Sequence, residues 1–180
     1  MYRKVILAVV AVLLSFSGFA RERSKRWQIE PYFGVTMPLA RVDGMKGIPF
    51  FATGVGYRHA LGNSVFWIGG EFSIQSAARK YSILREDYQA DIQGCRMISL
   101  CFVGEAHFAK VGKVGFYGGV GAGIAQCLSS KFEFNAERPL GLVVKPYVGI
   151  ECWSHLRVGV EGVFASKYFN TVNLRVGWAF

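Results

Sequence analysis

The chain has 180 residues, of which 52% are hydrophobic and 18% charged, with 22 glycines and a formal net charge of +9. Ordinary soluble domains carry roughly a quarter of their residues as charges, so this composition excludes disorder and leaves little with which to furnish a water-facing surface. The length suits one domain and excludes a multidomain enzyme.

Residues 1–20 have the form of an export signal. Arg3 and Lys4 supply the positive start, Val5–Leu14 the apolar stretch, and Gly18, Phe19 and Ala20 a small-residue cleavage region. The alternative, a membrane anchor, would need about 20 apolar residues, and this run is shorter. Cleavage after Ala20 removes two cations and no acid, so the remaining domain, residues 21–180, carries +7.

From Trp27 onward apolar residues recur with period two, the mark of strands with two unlike faces. Trp27, Ile29, Phe33 and Val35 alternate with Gln28, Glu30, Tyr32, Gly34 and Thr36 in the first strand. The second sets Phe51, Val55 and Tyr57 against Ala52, Gly54, Gly56 and Arg58, and its start is blurred by poor alternation over residues 44–50. The third sets Phe66, Ile68, Phe72 and Ile74 against Trp67, Gly69, Glu71, Ser73 and Gln75. In the fourth, Ile98, Leu100, Phe102, Ala106 and Phe108 oppose Ser99, Cys101, Val103, Glu105 and His107.

The fifth strand is the most glycine-rich: Val114, Phe116, Val120, Ala122 and Ile124 alternate with Gly115, Tyr117, Gly119, Gly121 and Gly123. The sixth sets Val144, Val148, Ile150 and Cys152 against Lys145, Tyr147, Gly149, Glu151 and Trp153. The seventh sets Leu156, Val158, Val160 and Phe164 against Arg157, Gly159, Glu161 and Val163. The last runs through Val172, Leu174, Val176, Trp178 and Phe180, with Asn173, Arg175, Gly177 and Ala179 between them. Pro31 and Pro146 fall inside strands, where each removes a ladder donor, and a bulge or local break is expected at both.

These segments predict an all-β fold, an eight-stranded antiparallel up-and-down barrel with strands of about ten residues, enough to cross a bilayer when tilted. The links alternate in length. Residues 37–47, 77–94, 126–140 and 165–171 are long, whereas 60–64, 109–113 and 154–155 are short and lie on the side of the termini. Outer-membrane barrels have short periplasmic turns and longer extracellular loops.

A soluble, lipocalin-like barrel would turn its apolar face inward and meet water with the other. That other face, on the fifth strand, is nearly all glycine. Glycines and charges instead suit a narrow lumen filled by side chains. Glu30, Arg58, Glu71, Glu105, Lys145, Glu151, Arg157, Glu161 and Arg175 all share the face opposite the apolar one. An unpaired buried carboxylate is costly, so these nine are expected to form an ion-pair network that fills the lumen, together with Tyr117 and Tyr147. The rival use of the same carboxylates is a narrow pore for ions or small solutes.

The chain resembles the small eight-stranded outer-membrane barrels of the OmpX or OmpA-transmembrane-domain type, through its whole alternating pattern and above all through its ending. Val172, Leu174, Val176, Trp178 and the terminal Phe180 are similar to the signal, here Trp178 and Phe180, by which the outer-membrane assembly machinery takes up its clients. The resemblance implies location in the bacterial outer membrane and a structural or surface-interaction role through the extracellular loops. It implies as partners membrane lipid and lipopolysaccharide, that machinery, and an extracellular ligand of the loops. A monomer without cofactor or metal is expected.

The cysteines do not match zinc spacing. A turn centred on Val111 would place Cys95 opposite Cys127, and a disulfide could tie that hairpin in an oxidising compartment. Cys101 is then a lumen residue and Cys152 a lipid-facing one, both unpaired.

Catalysis finds little support. His59, His107 and His155 fall at the edge of the short turns, whereas the loop acids Glu86, Asp87, Asp91, Glu133 and Glu137 have no histidine near them in sequence. A hydrolase needs a base within reach of its nucleophile, so a lipid A-modifying enzyme is the weakest reading and no catalytic residue is assigned. Nucleic acid is not an expected partner of an exported chain. The basic excess lies in exposed segments such as Arg21, Arg23, Lys25 and Arg26.

Overall fold

The computed structural model describes residues 26–39, 45–62, 65–81, 93–128, 140–165 and 170–180. The expected export signal, residues 1–20, and parts of the four long links expected from the sequence lie outside them. Nine strands occur among the described residues: β1 (Trp27–Pro38), β2 (Met45–Ile48), β3 (Phe50–Ala60), β4 (Phe66–Tyr81), β5 (Gln93–Val111), β6 (Val114–Cys127), β7 (Leu140–Cys152), β8 (Leu156–Val163) and β9 (Thr171–Trp178). Neighbours pair antiparallel, β1 with β9 and β4 with β5, so the sheet closes on itself.

The barrel has eight staves because β2 and β3 lie end to end along β4. Ile48 stands opposite Ala78 and Ala52 opposite Gln75, so the register slips by one residue around Pro49. A proline without an N–H interrupts a ladder, which accounts for the poor alternation just before Phe50.

Burial alternates as the sequence requires, with the usual sense reversed. In β1 the odd positions from Trp27 to Val35 are exposed and the even ones, from Gln28 to Thr36, are buried. Phe33, Leu100, Phe102, Leu142, Val148 and Leu174 lie on the outside, Leu142 at 79% exposure, whereas Arg58, Glu71 and Arg175 are inside. An apolar outer wall around a charged interior has a hydrocarbon solvent. No helix among the described residues is long and apolar enough to cross a membrane.

Glycine makes room for tyrosine in this narrow interior. A Cβ on Gly54 would lie 2.7 Å from the Tyr32 hydroxyl, one on Gly119 2.6 Å from that of Tyr147, and one on Gly149 2.5 Å from that of Tyr117. Towards the loops the lumen is filled by Met97, Ala125, Val143 and Val163.

Pro31 and Pro146 behave alike. The β1–β3 ladder runs unbroken through Pro31, but the β1–β9 ladder stops beside it at Tyr32 and Gly177. Pro146 pairs with Val120 on the β6 side, while β7–β8 pairing stops at Tyr147 and resumes only as a Val144–Phe164 bridge. Each proline therefore breaks one ladder locally, without a shift of register.

The β5–β6 hairpin corrects two expectations. Its turn is the pair Gly112–Lys113, with Gly112 at φ 60°, and Val111 stands opposite Val114. A bulge between His107 and Ala109 then moves the register by one. Cys127 consequently stands opposite Met97, two places from Cys95, so the cross-strand pairing proposed for Cys95 and Cys127 is absent; their side chains lie outside the described set. In addition, β4 and β5 run beyond the expected strand ends, pairing Ala77 with Cys95 and Arg79 with Gln93 and shortening the 77–94 loop.

Candidate functional site

The lumen holds the densest chemistry of the molecule. The nine charged residues expected there are all buried, none more than 4% exposed. They come together because each sits at a lumen-facing position of its strand and because an eight-stranded barrel is narrow enough for opposite walls to touch.

Three arginines cross the lumen. Arg58 on β3 places Nη1 2.7 Å from Glu30 Oε2 and Nε 2.9 Å from Glu105 Oε2, with Nη2 3.7 Å from Glu71. Arg157 on β8 donates to Glu30 Oε2 and Glu105 Oε1, both at 2.7 Å. Arg175 on β9 reaches Glu30 at 3.0 Å, Glu71 at 3.1 Å and Glu161 at 3.0 Å. Lys145 on β7 donates to Glu71 at 3.2 Å and to the Ser73 hydroxyl. Glu151 is buried and stands opposite Arg157 in the β7–β8 ladder.

Aromatic and amide side chains complete the network. The Arg157 guanidinium lies 3.6 Å from the centroid of the Tyr117 ring, and Arg175 lies 4.4 Å from that of Tyr32. Tyr147 donates to Glu105 at 2.9 Å and Tyr32 to Glu71 at 3.2 Å. Gln75 and Asn173 donate to Glu161 Oε1 at 3.3 and 2.9 Å. Of these, Tyr32, Ser73, Gln75 and Asn173 were not singled out from the sequence, although all four occupy its lumen-facing positions. Through Tyr117 even β6 takes part, so every stave of the barrel is tied into one cluster.

His107 closes the end of the short turns. Its Nε2 is 2.7 Å from Glu105 Oε1, its side chain is 18% exposed, and its ring lies between those of Trp67 and Tyr117. The other two histidines are at the same end. His59 is exposed opposite Trp27, and His155 stacks on Trp178 with ring centroids 5.5 Å apart. Among the described residues no group of three or more His, Cys, Asp and Glu is arranged to hold a metal.

The chemistry this arrangement supports is cohesive. Removing a charge from water costs several kcal/mol per ion, and the cost is offset only by close, multiple pairing. Guanidinium groups suit this, since a planar fork serves two carboxylates at once. The wall residues make no such demands and simply face lipid.

Trp178 and Phe180 lie outward, both about half exposed, and the Phe180 N–H donates to Ile29 O at 3.0 Å. Cys101 is buried in the lumen and Cys152 is partly exposed, both as free thiols, as the face assignment expects.

No protein-family model matches the sequence, and no curated protein does. Among solved structures, the outer membrane protein OprG of Pseudomonas aeruginosa is 10% identical, with 86% of this chain and 95% of that one covered at a TM-score of 0.46. Ail, the attachment invasion locus protein of Yersinia pestis, solved with the heparin analogue sucrose octasulfate, is 15% identical over 87% of this chain and all of its own, with a TM-score of 0.44. The N-terminal β-barrel domain of Pseudomonas aeruginosa OprF is 15% identical over 88% of this chain and all of its own, at 0.44. With an apolar outer wall, a charged interior and short turns at the end where the termini lie, this protein is a closed, eight-stranded antiparallel β-barrel.

Proposed function

We propose that the barrel is a rigid, sealed support and that its work is done outside the cell by the loops it carries, in a structural or surface-interaction role. The observation that carries this reading is the set of arginines, Arg58, Arg157 and Arg175, that span the lumen and join carboxylates of four different strands. An ion that entered would have to displace several short, desolvated contacts together. The partners we propose are membrane lipid and lipopolysaccharide, an extracellular ligand of the loops, and the assembly machinery acting on Trp178 and Phe180. The barrel is proposed to act as a monomer.

The reading is also non-enzymatic. His59, His107 and His155 all lie at the end opposite the long loops, which separates every imidazole of the chain from the outer surface where a lipid or peptide substrate would arrive.

Planar-bilayer recording of the purified barrel tests the sealed lumen. The expected trace shows no steps of current at either polarity. Regular steps that R157M or R175M enlarges would establish the narrow pore instead. A loop-replacement variant that retains the barrel but loses adhesion of expressing cells would support the surface role.

A further inference from the structure

Charge is divided unevenly between the two sides of the wall. Every described carboxylate side chain, Glu30, Glu71, Glu105, Glu151 and Glu161, is buried in the lumen. The cationic side chains described beyond the ion-pair network are Arg26, Arg96, Lys110 and Lys113. Three of these four stand at the end of the short turns. That rim therefore carries Arg26, Lys110 and Lys113, and the described acid level with them, Glu151 across Gly115 from Lys110, is buried.

Local geometry sets these cations at the edge of the apolar wall. Arg26 directly precedes Trp27, which is 48% exposed, and its carbonyl accepts the Ala60 N–H at 2.8 Å, pinning it to the end of β3. Half-buried Lys110 stands opposite Gly115, one pair before the ladder closes at Val111 and Val114, and Lys113 follows Gly112 in the turn. The Lys113 carbonyl accepts the N–H of Trp153, itself 62% exposed, at 2.9 Å. Of the three exposed tryptophans, Trp27 and Trp153 thus sit next to a cation, and Trp178 stacks on His155 at the same end. Tryptophan marks the headgroup level of a membrane, so these cations are at the depth of lipid phosphates. Their stems can lie along apolar surface while the charged ends reach those phosphates.

We propose that the periplasmic rim is a seat for anionic glycerophospholipid headgroups, with Arg26 on one arc and Lys110 and Lys113 on the next, separated by the β3–β4 turn. The proposal rests on the orientation of the barrel, with its short turns towards the periplasm. The ligand class follows from charge and depth. A phosphodiester is the anion available at the headgroup level of that leaflet, and Arg26 can grip its oxygens as a fork while the lysines act as point charges. A cation near an anionic membrane surface strengthens association about fivefold, the equivalent of ~1 kcal/mol.

The test uses the folded barrel in phosphatidylcholine bilayers containing trace spin-labelled phosphatidylglycerol or spin-labelled phosphatidylcholine, with boundary association read by electron spin resonance. The wild type is expected to prefer phosphatidylglycerol severalfold at 20 mM NaCl and to lose most of that preference at 500 mM. The variant R26Q/K110Q/K113Q is expected to show no more than a fifth of the preference while remaining heat-modifiable on gels. Equal association of the two lipids with the wild type at low salt overturns the proposal. So does a preference that the triple variant, or K113Q alone should the triple variant not fold, leaves unchanged together with its salt dependence. The gel shift reports separately on the barrel, so a wild type with a normal shift but no lipid preference counts against the seat alone.

Discussion

Arg157 Nη1 lies 2.7 Å from Glu30 Oε2, although the two residues are 127 positions apart and β9 stands between their strands. The contact crosses the curved interior of the barrel instead of running along a ladder. Arg157 also donates to Glu105 on the far wall at 2.7 Å and covers the Tyr117 ring. One side chain thus links β1, β5, β6 and β8. Replacing it with methionine leaves Glu30 and Glu105 short of a partner in a dry site. R157M is expected to lose about 3–5 kcal/mol of stability, read as a lower urea midpoint for unfolding from phosphatidylcholine vesicles. R157K, which keeps the charge but neither the fork nor the planar face, should fall between the two.

Which residues enter the lumen was legible in the sequence; who meets whom was not. Strict alternation put Glu71, Arg175 and their companions on one face because a strand's side chains repeat every two residues. The partners of Arg157 depend on the stagger between strands that are not neighbours in the chain, and alternation says nothing about stagger. The β5–β6 register failed for a similar reason. The His107-Phe108-Ala109 stretch contains neither glycine nor proline to announce a bulge, yet the Phe108 ring packs 3.0 Å from where a Cβ of Gly118 would stand. Gly112, by contrast, did carry a usable signal, since a left-handed residue in a two-residue hairpin turn favours glycine.

That register yields a chemical test. Met97 and Cys127 are direct partners across the β5–β6 ladder, and opposed residues of antiparallel strands have Cα atoms roughly 4.5–5.5 Å apart, within the usual disulfide range. In M97C, mild oxidation should therefore join the new thiol to Cys127, detected by peptide mapping under non-reducing conditions. Recovery of a Cys95–Cys127 peptide from the unaltered protein would mean that the hairpin register is wrong by two.

The glycine–tyrosine packing predicts a steep dependence on a single methyl group. G149A forces a Cβ against the Tyr117 hydroxyl and against Val158 O. Overpacking of this kind costs about 1–3 kcal/mol. Because the Tyr117 hydroxyl has no hydrogen-bond partner among the described residues, Y117F alone should be tolerated. In the double variant it should recover part of the loss but not all, since the backbone carbonyl remains. A double-mutant cycle of unfolding free energies measures both.

The lipid-facing wall responds differently. Phe102 is 64% exposed midway along β5, opposite Gly70 and Ala122. F102R places a cation in hydrocarbon and should cost about 2–4 kcal/mol. F102L should change stability little. Folding yields into vesicles of matched thickness, compared between the two variants, give the answer.

The central claim is an apolar wall turned outward around a lumen held by ion pairs. It is tested most directly by expressing the protein, separating the membranes, and running the detergent-extracted protein on a gel with and without boiling. The prediction is recovery in the outer-membrane fraction, with a compact, faster band that moves to the full mass of the chain on heating. Recovery in the soluble fraction, with one mobility at both temperatures, would contradict it.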